Sequence, residues 1–153
     1  MRYSAPDILR DLENVLRHLQ SVDPQVRREA AGELQIVLCG HLDHPTVVKI
    51  MDALATRLEV SVNGHAAFVE PDDHVRQRCA DGLTLGAQQP ADLTPYIDRL
   101  RYVEKHDPFD SARHCAGEAL EIHDARMSVT HNAPRKHAPT PPALTGRFLS
   151  QRT

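Results

Sequence analysis

Tryptophan is absent from this sequence, and aromatics of all kinds make up only 4% of its 153 residues. The core is therefore aliphatic, and flat aromatic platforms for bases or large chromophores are scarce. The three cysteines, Cys39, Cys79 and Cys115, form an odd set without paired spacing. That excludes a disulfide framework and fits a reducing compartment. No apolar run approaches the ~20 residues of a membrane helix. The opening Met-Arg-Tyr-Ser-Ala-Pro-Asp lacks the apolar stretch of a secretory signal. The expectation is a cytoplasmic protein with no membrane partner. Catalytic signatures are missing as well: there is no Gly-x-Ser-x-Gly elbow, no P-loop and no Gly-x-Gly-x-x-Gly. Neither an enzyme nor a cofactor is expected.

Acidic residues are also absent after Asp124. Residues 1–127 carry a net charge of −7, and residues 128–153 carry +4 from Arg135, Lys136, Arg147 and Arg152. The second stretch also holds Pro134, Pro139, Pro141 and Pro142. Such a segment buries too little apolar area to offset chain entropy, so it reads as a basic, disordered tail. The first stretch has ordinary globular composition and enough length for one core. Its negative charge excludes nucleic-acid binding through the folded body, because phosphate contacts need a basic stripe.

An internal repeat sets the architecture. Val26-Arg27-Arg28-Glu29-Ala30-Ala31-Gly32-Glu33-Leu34 aligns without gaps with Val75-Arg76-Gln77-Arg78-Cys79-Ala80-Asp81-Gly82-Leu83. Both align with Ala112-Arg113-His114-Cys115-Ala116-Gly117-Glu118-Ala119-Leu120. Positions one, five and nine fall on one helical face, and small residues at five and six admit a close neighbouring helix. Each copy follows an apolar stripe of its own: Ile8, Leu12, Val15 and Leu19; then Val47, Met51, Leu54 and Leu58; then Tyr96, Leu100 and Val103. Asp23-Pro24, Thr94-Pro95 and Asp107-Pro108 read as N-caps followed by Pro at the first helical position, and Ser4 with Asp7 as a capping box. Gly40 and Gly86 mark helix ends. These signals predict an all-α fold of six helices, about 5–20, 24–39, 45–60, 72–87, 95–106 and 108–126, stacked as three pairs.

The segment Asp23-Pro24-Gln25-Val26-Arg27-Arg28-Glu29-Ala30-Ala31, with Asp72-Asp73-His74-Val75-Arg76 as its second copy, resembles a HEAT repeat, in particular the short HEAT-like repeats of the phycobilisome-lyase type. The resemblance covers residues 5–126. It implies a short right-handed α-solenoid whose second helices line the concave side. It also implies an inter-repeat ladder of Asp23, Arg27, Asp72 and Arg76. The third copy departs from the pattern, because Phe109 stands in the aspartate position and Asp107 lies two residues earlier.

The copies are unevenly spaced: Val26 to Val75 is 49 residues, whereas Val75 to Ala112 is 37. The difference fits one insertion at about 60–71. Asn63-Gly64 between β-prone residues there predicts a short hairpin or projecting loop, with Phe68 or Val69 packed on the helices. The domain reading is thus a helical repeat domain over 1–127, with that insertion, and a tail over 128–153.

Metal-ligand chemistry has thin support. Cys39, His41 and His44 are zinc-type donors, but their spacing matches no established finger, and Cys39 reads as a buried thiol closing a helix. His106, His114 and His123 lack a facing carboxylate pair, and no His-Glu dipeptide occurs. Cys79 and Cys115 read as inert core thiols. No metal is expected.

Recognition is the remaining task. Repeat positions three, seven and ten form a polar stripe: Arg28, Gly32 and Gln35; Gln77, Asp81 and Thr84; His114, Glu118 and Glu121. The resemblance places them along one groove, running from basic at Arg28 to acidic at Glu118 and Glu121. The expected function is a non-catalytic protein–protein interaction module: an adaptor, a scaffold or a small acidic inhibitor of the immunity type. The expected partner is another protein with a basic segment, and self-association is a second mode open to so short an array. The alternative is a lyase-like or enzyme-accessory module that holds a chromophore or substrate.

Overall fold

Local chemistry starts the helices. The Ser4 hydroxyl accepts the Asp7 N–H, the Asp23 carboxylate accepts that of Gln25, and the Asp72 carboxylate accepts those of His74 and Val75. A computed structural model describes residues 4–61, 67–89 and 91–137, with side chains through 129. Its elements are α1 (Ala5–Arg10), α2 (Leu12–His18), α3 (Pro24–Leu38), α4 (His44–Thr56), β1 (Val60–Ser61), β2 (Ala67–Phe68), α5 (Asp73–Gln88), a 3-10 turn (Thr94–Tyr96), α6 (Ile97–His106) and α7 (Asp110–His137). Among the described residues the protein is all-α apart from one two-stranded sheet. No helix among the described residues is long and apolar enough to cross a membrane.

The boundaries depart from expectation at definite places. The first predicted helix is two, broken at Asp11, whose backbone (φ −112°, ψ 22°) leaves the helical basin. Thr94 lies within the 3-10 turn rather than capping it, and Asp92 accepts its N–H. Asp107 does not cap α7; it is buried, for a reason given below. Helix α7 also runs on to His137, through the first ten residues of the predicted tail. No Gly or Pro intervenes between Asp124 and Asn132, and extending an existing helix costs far less than nucleating one. The rest of the predicted tail lies outside the described residues. The chain divides into two compact units, 1–123 and 124–153, and α7 begins in the first.

The core gathers inside the first unit. Ile8, Leu34, Leu54, Leu58, Leu83 and Leu100 are fully buried, each contributing about 1.5–3 kcal/mol relative to exposure. Repeat positions five and nine are buried in all three copies: Ala30, Cys79 and Ala116, then Leu34, Leu83 and Leu120. Helix α3 packs on α5, and α5 packs on α4. Gly82 and Gly86 bring α4 and α5 together. A Cβ at Gly82 would stand 2.5 Å from Leu54 Cδ1, and one at Gly86 would collide with the Met51 sulfur. Gly86 is therefore a packing residue inside α5, not its terminator.

The predicted insertion contains an antiparallel pair, with Val60 opposite Phe68 and Ser61 opposite Ala67. Residues 62–66, including Asn63 and Gly64, lie outside the described residues. Phe68 is half-buried and meets Tyr102 edge-on at 5.4 Å, whereas Val69 is exposed.

A buried ionic ladder joins the repeats, but not through the expected aspartates. Arg27 donates Nε and Nη2 to the Glu70 carboxylate at 2.7 and 2.8 Å. Arg76 donates Nε and Nη2 to Asp107 at 2.7 and 3.0 Å. Each repeat arginine also donates Nη1 to the carbonyl six residues earlier: Arg27 to Ser21, Arg76 to Glu70, Arg113 to Asp107. Those three residues in turn accept the N–H two residues onward, from Asp23, Asp72 and Phe109. One local turn is thus built three times, and in the second and third copies its side chain serves the arginine of the preceding repeat. Asp23 only caps α3, and Asp72 caps α5 and receives Arg28 instead. Arg57 adds two further bonds to Glu70. Burial alone would raise the Glu70 pKa, but Arg27, the Asp72 N–H and Arg57 together hold it below the usual carboxylate value.

Candidate functional site

The second helices α3, α5 and α7 carry the polar stripe, and cross-helix bonds use up part of it. Arg28 grips Asp72 with three N–H···O bonds of 2.7–3.1 Å. That fork holds Asp72 at a pKa of about 2. The basic end of the expected gradient is therefore neutralised within the chain. Gly32 lies under the Arg78 guanidinium, which also donates to the Arg28 carbonyl at 2.6 Å. Gln35 donates to Asp81 at 2.7 Å. Gln77 reaches the Cys115 sulfur at 3.7 Å. Thr84, expected on the groove surface, is buried, and its hydroxyl donates to the Cys115 carbonyl at 3.1 Å.

What remains open to solvent is acidic. Asp81 is half-buried, and His114, Glu118 and Glu121 are exposed. His114 Nε2 lies 3.7 Å from a Glu118 oxygen, one turn along α7. No Lys or Arg pairs with Asp81, Glu118 or Glu121 among the described residues. The geometry thus brings Asp81, His114 and Glu118 to one place, with Gln35 and Gln77 as amide bridges beneath. Arg28 and Thr84 serve the helix packing.

Two contributors escaped the sequence reading. Arg78 bridges α5 to α3, and its repeat position, four, lies just off the chosen stripe. Ile36 is an aliphatic residue of α3 with 45% of its surface exposed. Its repeat equivalents Leu85 and Ile122 are partly buried against the core. The apolar residue at position eleven of all three copies was the available signal.

The other predicted donors separate. Cys39 is exposed rather than buried, because it follows the last residue of α3, where the chain turns outward. His41 and His44 line a cleft of about 290 Å³ with Leu42, Val47, Gln88 and Gln89. Among the described residues, the group whose ligating atoms all lie within 4.8 Å of one another is Asp81, Cys115 and Glu118. His106 stacks on Tyr102 at 4.5 Å, and His123 is half-buried on α7. Burial raises the Cys79 thiol pKa, which suits an inert core residue. Burial also raises that of Cys115, and the nearby Asp81 and Glu118 charges add to this against the lowering contact from Gln77.

Compared with protein-family models, with curated proteins and with solved structures, the chain finds no match.

Proposed function

We propose that this chain is a non-catalytic protein-interaction module that receives a basic segment of a partner protein. The observation that carries the reading is the acidic surface of Asp81, Glu118 and Glu121, which no Lys or Arg neutralises among the described residues. The HEAT-like interpretation belongs to the same proposal: three helix pairs forming a short solenoid, with α3, α5 and α7 on the partner-facing side. The ladder that repeats with the same six-residue offset in each copy supports it. Charge of one sign on such a surface steers an oppositely charged segment and sets its on-rate.

The test is capture of partners from the source cell by the full chain, with identification and a salt series. Asp81→Lys combined with Glu118→Lys should abolish capture of a basic partner while the protein stays folded. Exposed charge changes usually alter stability by only about 0.5 kcal/mol. Undiminished capture by the double variant overturns the reading.

A further inference from the structure

We propose that Asp81, Cys115 and Glu118 form a binding site for a borderline divalent cation of the zinc class, with water in the fourth position. Asp81 comes from α5 and the others from α7. Their ligating atoms already lie within 4.8 Å of one another. A tetrahedral zinc ion with bonds of about 2.0–2.3 Å holds its donors about 3.3–3.8 Å apart. Closure therefore needs shifts of roughly an ångström, within reach of side-chain rotation. His114 Nε2 stands 3.7 Å from Glu118 but falls outside the group of three.

Two features distinguish this place from an ordinary acidic surface. Cys115 is 7% exposed, its sulfur lies near both carboxylates, and it accepts a long amide contact from Gln77. No Lys or Arg compensates either carboxylate among the described residues, although Gln35 fixes Asp81 from behind at 2.7 Å. Such an outer amide orients a metal-bound carboxylate. One sulfur with two carboxylates suits zinc better than magnesium or calcium, which take oxygen alone. On binding, the thiol proton leaves to solvent and the thiolate bonds the metal. The 33 residues between Asp81 and Cys115 fit no compact metal motif, so spacing rules pass over the set.

The probe is Co²⁺, added to the full chain in reduced, chelator-stripped form. The expected result is a thiolate-to-cobalt charge-transfer band that saturates at one equivalent and disappears on adding Zn²⁺. Cys115→Ala should remove the band, while Cys39→Ala keeps it. Asp81→Asn and Glu118→Gln should each weaken Co²⁺ binding at least tenfold, since loss of an outer-shell partner alone costs about 10–100-fold. These two variants keep side-chain volume, so they decide the matter even if Cys115→Ala fails to fold. Absence of the band overturns the site, as does a band that follows Cys39 or ignores both carboxylate variants. No partner is needed for this measurement, and because a bound cation would neutralise Asp81 and Glu118, saturation at one equivalent would also weigh against the docking proposal.

Discussion

Arg27 and Arg76 share a repeat position with Arg113, yet their surroundings differ. The side chains of Arg27 and Arg76 are 8% and 4% exposed, and each forks onto a fully enclosed carboxylate of the following repeat. Arg113 makes the same local bond to Asp107, but its side chain is 38% exposed and its ion pair is with Asp110, on its own helix. The residue is repeated, but its energetic role is not. Each arginine is completed by the next repeat, so the interaction belongs to the junction rather than to the unit.

The comparison is broken most directly at Glu70. Glu70→Ala should cost about 3–5 kcal/mol, because it strands Arg27 and Arg57 without their shared anion. Urea unfolding measures this. A loss no greater than that of Arg113→Ala would remove the distinction between junction and terminus. Leu34→Ala and Leu83→Ala should each cost roughly 2–5 kcal/mol, since both leucines are fully enclosed at position nine. Wild-type urea midpoints in both would refute the repeat register. Gly86→Ala should cost about 1–3 kcal/mol through its collision with Met51, read from the thermal midpoint.

Acid sharpens the picture at Asp72. Its folded pKa of about 2 lies below the ordinary 3.8, so its stabilising contribution is complete above about pH 4 and lost as pH falls toward 2. Circular dichroism across that window should show a shallower acid transition for Asp72→Asn than for wild type. The smallest effect belongs to Arg113→Ala, about 0–1 kcal/mol, as for exposed ion pairs. A loss of several kcal/mol would mean that Arg113 is an inner rung after all.

Much of the helical pattern was legible because it obeys local rules. Apolar spacing and caps located the helices, and small residues at position five located the close packing. Partner choice in the ladder was not legible. Asp72 and Glu70 stand two residues apart, and only the three-dimensional path of Arg27 decides between them. The offset of six residues from Arg27, Arg76 and Arg113 to Ser21, Glu70 and Asp107 was present in the sequence, outside the nine-residue alignment window. At the candidate site, the helical period assigned Arg28, Gln35 and Thr84 to a face but gave no information about the facing helix. Cross-helix bonds then claimed all three. The same period placed Asp81, His114 and Glu118 on the face that stays open to solvent, and Cys115, read as a core thiol, is buried in the core.

The junction ladder also sets a clock on synthesis. Arg27 meets an acid 43 positions downstream, and Arg76 meets one 31 positions downstream. At ribosomal speeds of about 5–20 residues per second, the first rung waits roughly 2–9 s for its anion to be made, and the second roughly 2–6 s. Through those intervals each guanidinium stays hydrated, and the helix that bears it has only its own first partner to lean on. The earliest order in which the rungs can close is therefore from the amino end, one junction at a time.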